Sequence, residues 1–126
     1  MRLAHVAYLV RDYDEAIRWF TEKLDFQVLE DTPISASKRW VVVAPPGGGT
    51  GFLLAKAEGA AQISAVGAQA GGRVFLFLHT DNFAASHSAM LAKGVRFLEA
   101  PRREPYGTVA VFADLYGQKW DLIEPK

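Results

Sequence analysis

The sequence predicts an α+β fold built from two tandem βαβββ modules. Two observations lead to this prediction. The hydrophobic period alternates between that of a strand and that of a helix in the same order twice along the chain. The two halves also share residues at a nearly constant spacing. Half of the 126 residues are hydrophobic, which suits one domain spanning residues 1–126 with a real core.

The first module covers about residues 1–58 and begins with an apolar stretch that predicts a strand. Asp12 or Asp14 follows it, in a position to cap a helix. In that helix Ala16, Phe20 and Leu24 recur at helical spacing. The predicted strands of this module are residues 3–10, 26–29, 39–44 and 52–57.

The second module covers about residues 73–126 and follows an Ala- and Gly-rich linker, about residues 59–72, with a weak helical turn. Asp81 is predicted to cap its helix and Gly94 to end it. His87 falls on the polar side of this helix, and the residues around Pro105 are predicted as a loop. The predicted strands are residues 73–79, 95–98, 107–112 and 119–123.

An internal repeat supports the two modules. One helix covers only one face of a four-stranded sheet, so the second face of each module must be closed by a partner or line a cleft. A concave pocket between repeats is a natural ligand site. A shift of 69 pairs Asp12 with Asp81 and Leu29 with Leu98, and a shift of 68 pairs Val41 with Val109 and Leu54 with Leu122.

Composition excludes several classes of function. The formal net charge is zero, which argues against a nucleic-acid partner. The chain has no cysteine, which excludes disulfides, zinc–thiolate sites and cysteine nucleophiles and fits a reducing cytoplasm. No apolar run approaches the roughly 20 residues needed to span a bilayer. We therefore expect a cytoplasmic protein without a nucleic-acid or membrane partner.

Two sequence stretches carry a resemblance to a known family. They are AHVAYLVRDYDEAIRWFTEKLDFQV at the front and YGTVAVFADLYGQKWDLIEP at the back. The second contains a D-x-x-G-x-x-W-D-L pattern that begins at Asp114. The chain resembles the vicinal-oxygen-chelate superfamily, which includes glyoxalase I, bleomycin-resistance proteins and extradiol dioxygenases. The resemblance implies a glyoxalase-like fold, a U-shaped cleft between the modules, a small-molecule ligand and a homodimer.

The resemblance also implies where a divalent metal would bind. In metal-using members, ligands come from the first and last strands of each module. Here these positions hold His5 and Asp121, together with Leu53 and Phe75. Leucine and phenylalanine cannot coordinate a metal, so the standard four-ligand site is incomplete. This argues against standard glyoxalase I activity.

Two alternatives for the polar residues stay open. His79 lies four residues after Phe75, so alternation places both on one face, and a displaced site of His5, His79 and Asp121 would suit Fe, Mn, Ni or Zn. Alternatively, His79 ends its strand and hydrogen-bonds the turn at Asp81. Without a metal, a His5–Asp121 pair facing a cleft could perform acid–base catalysis or merely order the pocket. An open cleft would solvate Asp121.

Several further residues are predicted to contact a ligand. Trp40 and Tyr106 would offer flat apolar surface with a polar tip, although core or dimer packing explains Trp40 equally well. Arg102 and Arg103 either bind an anionic substrate or form a solvated pair. The predicted substrate-binding residues are Trp40, Leu53, Phe75, His79 and Tyr106.

Two functions follow from this set of residues. The first is an enzyme, a lyase or dioxygenase of the glyoxalase superfamily, that uses His5 and Asp121 with or without a metal. The second is a non-catalytic protein that sequesters an apolar or aromatic compound, as bleomycin-resistance proteins do. The apolar residues at two ligand positions favour sequestration, whereas the retained histidine and aspartate favour catalysis.

Overall fold

The computed structural model describes all 126 residues, which form two compact units, residues 1–66 and residues 67–126. Each unit contains one mixed β-sheet with a long helix packed on it, as the repeat predicts. The N-terminal unit has strand order β1-β4-β3-β2, in which β1 and β4 run parallel. Its elements are β1 (His5–Val10), α1 (Tyr13–Leu24), β2 (Gln27–Pro33), β3 (Arg39–Ala44), β4 (Gly51–Lys56) and α2 (Gly59–Ala65).

Helix α1 begins and ends where its local chemistry requires. Asp12 is the N-cap, and its carboxylate accepts a hydrogen bond from the backbone N–H of Glu15 at 2.8 Å. The helix ends at Asp25, which adopts the left-handed conformation. The buried ring of Phe20 packs edge-on against Tyr8 of β1, with 5.3 Å between ring centroids. The apolar stripe of α1 therefore covers one face of the sheet.

The C-terminal unit repeats this order with one addition. Its sheet has the order β5-β9-β8-β6, β5 and β9 run parallel, and β7 also pairs with β8. Its elements are β5 (Val74–His79), α3 (Phe83–Ala92), β6 (Arg96–Phe97), β7 (Arg102–Glu104), β8 (Gly107–Ala113) and β9 (Lys119–Pro125).

The edge of the C-terminal sheet is interrupted, whereas β2 is continuous. Strands β6 and β7 pair with opposite ends of β8. Between them, the Glu99 carboxylate accepts a hydrogen bond from the backbone N–H of Val111 at 3.0 Å, which satisfies a donor that a continuous strand would have paired. Pro105 and Tyr106 lie in a turn, as predicted, but the strand β7 that leads into this turn was not predicted, and its residues 102–104 bond to β8.

Two predictions about α3 are also wrong. Its N-cap is Asn82 rather than Asp81, and the Asn82 side chain accepts from the backbone N–H of Ala85 at 3.1 Å. His87 does not lie on a purely polar face. Its ring stacks on Phe83 at 5.3 Å and meets Phe97 edge-on at 4.4 Å, so it belongs to the packing between helix and sheet.

The D-x-x-G-x-x-W pattern has a structural explanation. Asp114 is buried, and its Oδ1 accepts from the backbone N–H groups of Tyr116 and Gln118, each at 3.0 Å. Its Oδ2 accepts from Nε1 of Trp120 at 2.9 Å. One carboxylate thus holds the turn between β8 and β9 and anchors the indole that packs beneath α3.

The segment between the modules is partly helical. The predicted linker contains α2, whose seven residues include none that is buried. No helix of the chain is both long and apolar enough to cross a membrane.

Candidate ligand-binding site

The C-terminal sheet turns one face toward α3 and leaves the other uncovered by that helix. Trp120 stacks on Phe112 with 5.5 Å between ring centroids, and this pair lies on the helix side. Because side chains alternate along a strand, Asp121 points to the opposite side. Residues opposite one another in the sheet share a face. The C-terminal open face therefore comprises Phe77, His79, Arg102, Val109, Val111, Asp121 and Ile123.

Asp121 is the unusual residue of this face. It is only 8% exposed, and its Oδ1 is buried without a hydrogen-bond partner. Its direct neighbours across the sheet are Phe77 and Val111, which offer no side-chain donor. Burial raises the pKa of the Asp121 carboxyl, the charge of Arg102 lowers it, and that of Glu99 raises it. The expected solvation of this carboxylate is not observed at Oδ1, which is buried without a hydrogen-bond partner.

Phe77 is an aromatic residue of this face that was not among the predicted ligand contacts. Its side chain is 61% exposed, and the parallel pairing of β5 and β9 places it directly beside Asp121. An exposed phenylalanine has no polar group to solvate, so it offers flat apolar surface for a ligand. Strand alternation contained the signal, because Phe77 lies two residues before His79.

Arg102 borders the same face and is held in place by three partners. Its Nε bonds Glu99 at 3.0 Å, and its Nη1 bonds Glu104 at 2.8 Å and the Tyr106 hydroxyl at 3.4 Å. We call these four residues the arginine clamp. These bonds hold the pKa of the Arg102 guanidinium above its ordinary value. Arg102 is partly exposed and Arg103 is exposed, and the ion pairs of Arg102 with Glu99 and Glu104 leave it less available to an anionic substrate.

The N-terminal open face holds three of the predicted site residues. By the same alternation, His5 lies on the side of β1 away from α1 and is exposed. Leu53 pairs with Ala7 on one side and with Val42 on the other, so it occupies the place that Asp121 holds in the other unit. Trp40 lies two residues before Val42 and is 39% exposed.

The remaining predicted residues are placed as follows. His5 and Asp121 belong to different units, and their pairing stays a prediction. Phe75 falls at the irregularity between Val74 and Leu76, so alternation does not assign its face. His79 ends β5 beside Ile123. Tyr106 is 51% exposed at the arginine clamp.

The residues present do not fit a resident divalent metal. The chain contains no group of three or more His, Asp or Glu side chains that could hold one. The strand neighbours of Asp121, Phe77 and Val111, supply no side-chain ligand atom. A site of His5, His79 and Asp121 would join the two units and stays a prediction.

Comparison with known proteins identifies the family. A model described as Glyoxalase/Bleomycin resistance protein/Dioxygenase superfamily matches residues 2–122. The chain belongs to this superfamily, which confirms the resemblance and the glyoxalase-like α+β fold. Members of the superfamily act on or bind small molecules, and many carry a divalent metal.

Individual relatives cover the whole chain. An uncharacterized protein of Shewanella frigidimarina is 50% identical over 97% of this chain and 92% of its own length. The solved structure of UcmS2 is 31% identical, with a TM-score of 0.84 and 98% of both chains covered. That of TnmS3, an antibiotic binding protein from Streptomyces sp. CB03234, is 26% identical, with a TM-score of 0.82 and coverage of 100% and 97%.

Proposed function

We propose that this protein binds a small aromatic molecule on its C-terminal open face and sequesters it without chemical change. One observation carries the proposal: the exposed ring of Phe77 lies beside the nearly buried Asp121, which has Val111 on its other side. Such a face suits a flat apolar compound with a polar group. The likeness to an antibiotic-binding protein supports an antibiotic-like ligand.

The chemistry of the face favours binding over catalysis. An acid–base catalyst needs a titrating group within reach of the reacting atoms. In the C-terminal unit, the Oδ1 of Asp121 is buried, and Arg102 forms ion pairs with Glu99 and Glu104. The enzymatic alternative, a lyase or dioxygenase reaction, would need a further group, and His5 remains the proposed candidate for it.

Calorimetric titration with doxorubicin, bleomycin and indole tests the proposal, with mass spectrometry of the recovered compound. We expect at least one compound to bind and to be recovered unaltered. Phe77→Ala should weaken its binding by about tenfold, because ring stacking and buried area are lost. Leu91→Ala is the matched control, since Leu91 is 50% exposed but lies on α3. It should leave affinity unchanged.

Two outcomes would contradict the proposal. Absence of binding by all three compounds at millimolar concentration would remove the binding function. A chemically altered product, formed in proportion to protein and lost in His5→Ala, would replace sequestration with catalysis. Trp40 and Leu53 on the N-terminal open face are proposed as further ligand contacts, and Trp40→Ala tests them in the same titration.

We also propose that the chain forms a homodimer in a reducing cytoplasm, as is usual for this superfamily. The exposed Leu29, on the edge strand β2, is 60% accessible and offers apolar surface to a second copy. Sedimentation equilibrium decides between monomer and dimer, and Leu29→Lys should shift a dimer that uses this edge toward monomer.

A further inference from the structure

We infer that the ligand carries a hydrogen-bond donor, a hydroxyl or N–H group on its aromatic ring system, which binds the Asp121 carboxyl. This inference rests on the proposed binding function and specifies the chemical class of the ligand. It starts from the buried Oδ1 of Asp121, which has no partner. Buried polar atoms are almost always paired, and an unpaired one costs free energy that a bound donor recovers.

No group of the protein bonds this atom. Arg102, on the same face, directs its Nε and Nη1 to Glu99, Glu104 and the Tyr106 hydroxyl. The backbone N–H of Val111, opposite Asp121 on β8, bonds the Glu99 carboxylate. The Oδ1 atom is therefore an open acceptor that a donor group of a ligand can pair.

The neighbouring ring defines the rest of the ligand. Phe77 occupies the adjacent register position on β5, is 61% exposed, and can change rotamer without breaking core packing. Its movement gives a ligand access to Asp121, and its face then packs on the ligand ring. The aromatic contact and the hydrogen bond are therefore made side by side, which selects a ring whose donor lies on its edge.

The donor group that fits this place is one carried on the edge of a flat ring. A phenolic hydroxyl or a ring N–H supplies the hydrogen bond that Oδ1 lacks while the ring itself packs on Phe77. The ligand class is therefore a heteroaromatic or phenolic compound.

Indole and 1-methylindole test the inference, because they differ only in the N–H donor that methylation removes. Protein-observed NMR titration of the full chain gives both affinities. We expect indole to bind about tenfold more tightly than 1-methylindole, the value for one hydrogen bond to a carboxyl group. Asp121→Leu should abolish this preference while retaining 1-methylindole, and Asp121→Asn, which keeps an acceptor oxygen, should retain part of it.

The outcomes distinguish the requirement for a donor from the proposed binding of an aromatic compound. Equal binding of both compounds, unchanged in Asp121→Leu, overturns the donor requirement and leaves the aromatic-binding function standing. Failure of both to bind overturns the inference as stated, whereas the binding function falls only if doxorubicin and bleomycin also fail to bind. Thermal unfolding of each variant verifies the fold, and Leu91→Ala, remote from the face, should reproduce the wild-type preference.

Discussion

The two units share one topology but place their arginines on opposite faces of their sheets. In the N-terminal unit, Arg39 bonds Asp14 of α1 at 2.9 Å and Asp31 of β2 at 2.7 Å, and its guanidinium lies over the Tyr13 ring. In the C-terminal unit, Arg102 lies on the side away from α3, on the same face as Asp121. The first arginine ties the helix to the sheet edge, whereas the second acts on the charge of Asp121 on the open face.

A second difference concerns the equivalent positions Leu53 and Asp121. The register is the same in both units, with Ala7 beside Leu53 and Phe77 beside Asp121. One sheet therefore presents an aliphatic side chain where the other presents a carboxyl and an exposed ring. Duplicated architecture leaves each copy free to change its open face, because the core that specifies the fold lies on the helix side.

The largest effect on the free energy of unfolding is expected at the turn between the last two strands of each unit, where the two units differ. Asp114→Ala removes three hydrogen bonds and leaves the buried Trp120 Nε1 unpaired. We expect a loss of about 3 kcal/mol in the free energy of unfolding, measured in urea. The corresponding position in the N-terminal unit is Pro46, where the turn needs no carboxylate, and Pro46→Ala should cost under about 1 kcal/mol. Similar losses in both variants would disprove the difference.

An intermediate effect is expected from exchanging the open-face residues. Asp121→Leu should raise the free energy of unfolding by about 1 kcal/mol at neutral pH, because an unpaired buried carboxyl is removed. The reciprocal Leu53→Asp should lower it by a similar amount. Chemical denaturation of both variants measures these two changes. A loss of stability in Asp121→Leu would show that the Asp121 carboxyl has a hydrogen-bond partner in the folded protein.

The pH dependence of the Asp121→Leu gain has a definite sign. Burial raises the folded-state pKa of Asp121 above the ordinary 3.8 of the unfolded chain. The folded state therefore binds the proton more tightly, and wild-type stability falls as pH rises from 3.8 through the raised folded pKa. The advantage of Asp121→Leu should be complete above that pKa and shrink on acidification toward 3.8. Denaturation curves across acidic pH measure this, and a gain independent of pH would contradict it.

The smallest effect on stability is expected from the two arginines. Arg102→Ala should leave the free energy of unfolding nearly unchanged, because its ion pairs are partly exposed, but it should raise the pKa of Asp121 further by removing the neighbouring positive charge. Arg39→Ala should leave that pKa unchanged. Carboxyl NMR titration measures the pKa of Asp121 in both variants. Equal shifts of this pKa in the two variants would contradict the difference between Arg39 and Arg102.

The sequence predicted those elements whose signal is local. The β-branched run of β3 was predicted with its observed bounds, Arg39–Ala44, and the capping of α1 by Asp12 follows from side-chain chemistry. In contrast, β7 carries the charged sequence RRE without apolar alternation. It is a strand only because β8 offers it hydrogen bonds, and that partner becomes adjacent only after folding.

The site was predicted less completely than the fold. His5, Trp40 and Leu53 lie on one sheet face and His79 and Asp121 on another, as alternation along single strands requires. The face of Phe77 was predictable from the alternation that includes His79, but its place beside Asp121 was not. That neighbour relation depends on the register of β5 against β9, including the irregularity before Leu76, and leaves no mark in local composition.

By itself, the amino-acid sequence determined the duplicated α+β architecture and the family, because hydrophobic periodicity and capping act over a few residues. Only the tertiary structure decided the chemistry of Asp121. Its Oδ1 has no partner, while Arg102 on the same face and the Val111 N–H bond Glu99, which lies 22 residues earlier in the chain. The energy of a buried charge depends on which donors surround it in space, and that arrangement exists only in the folded chain.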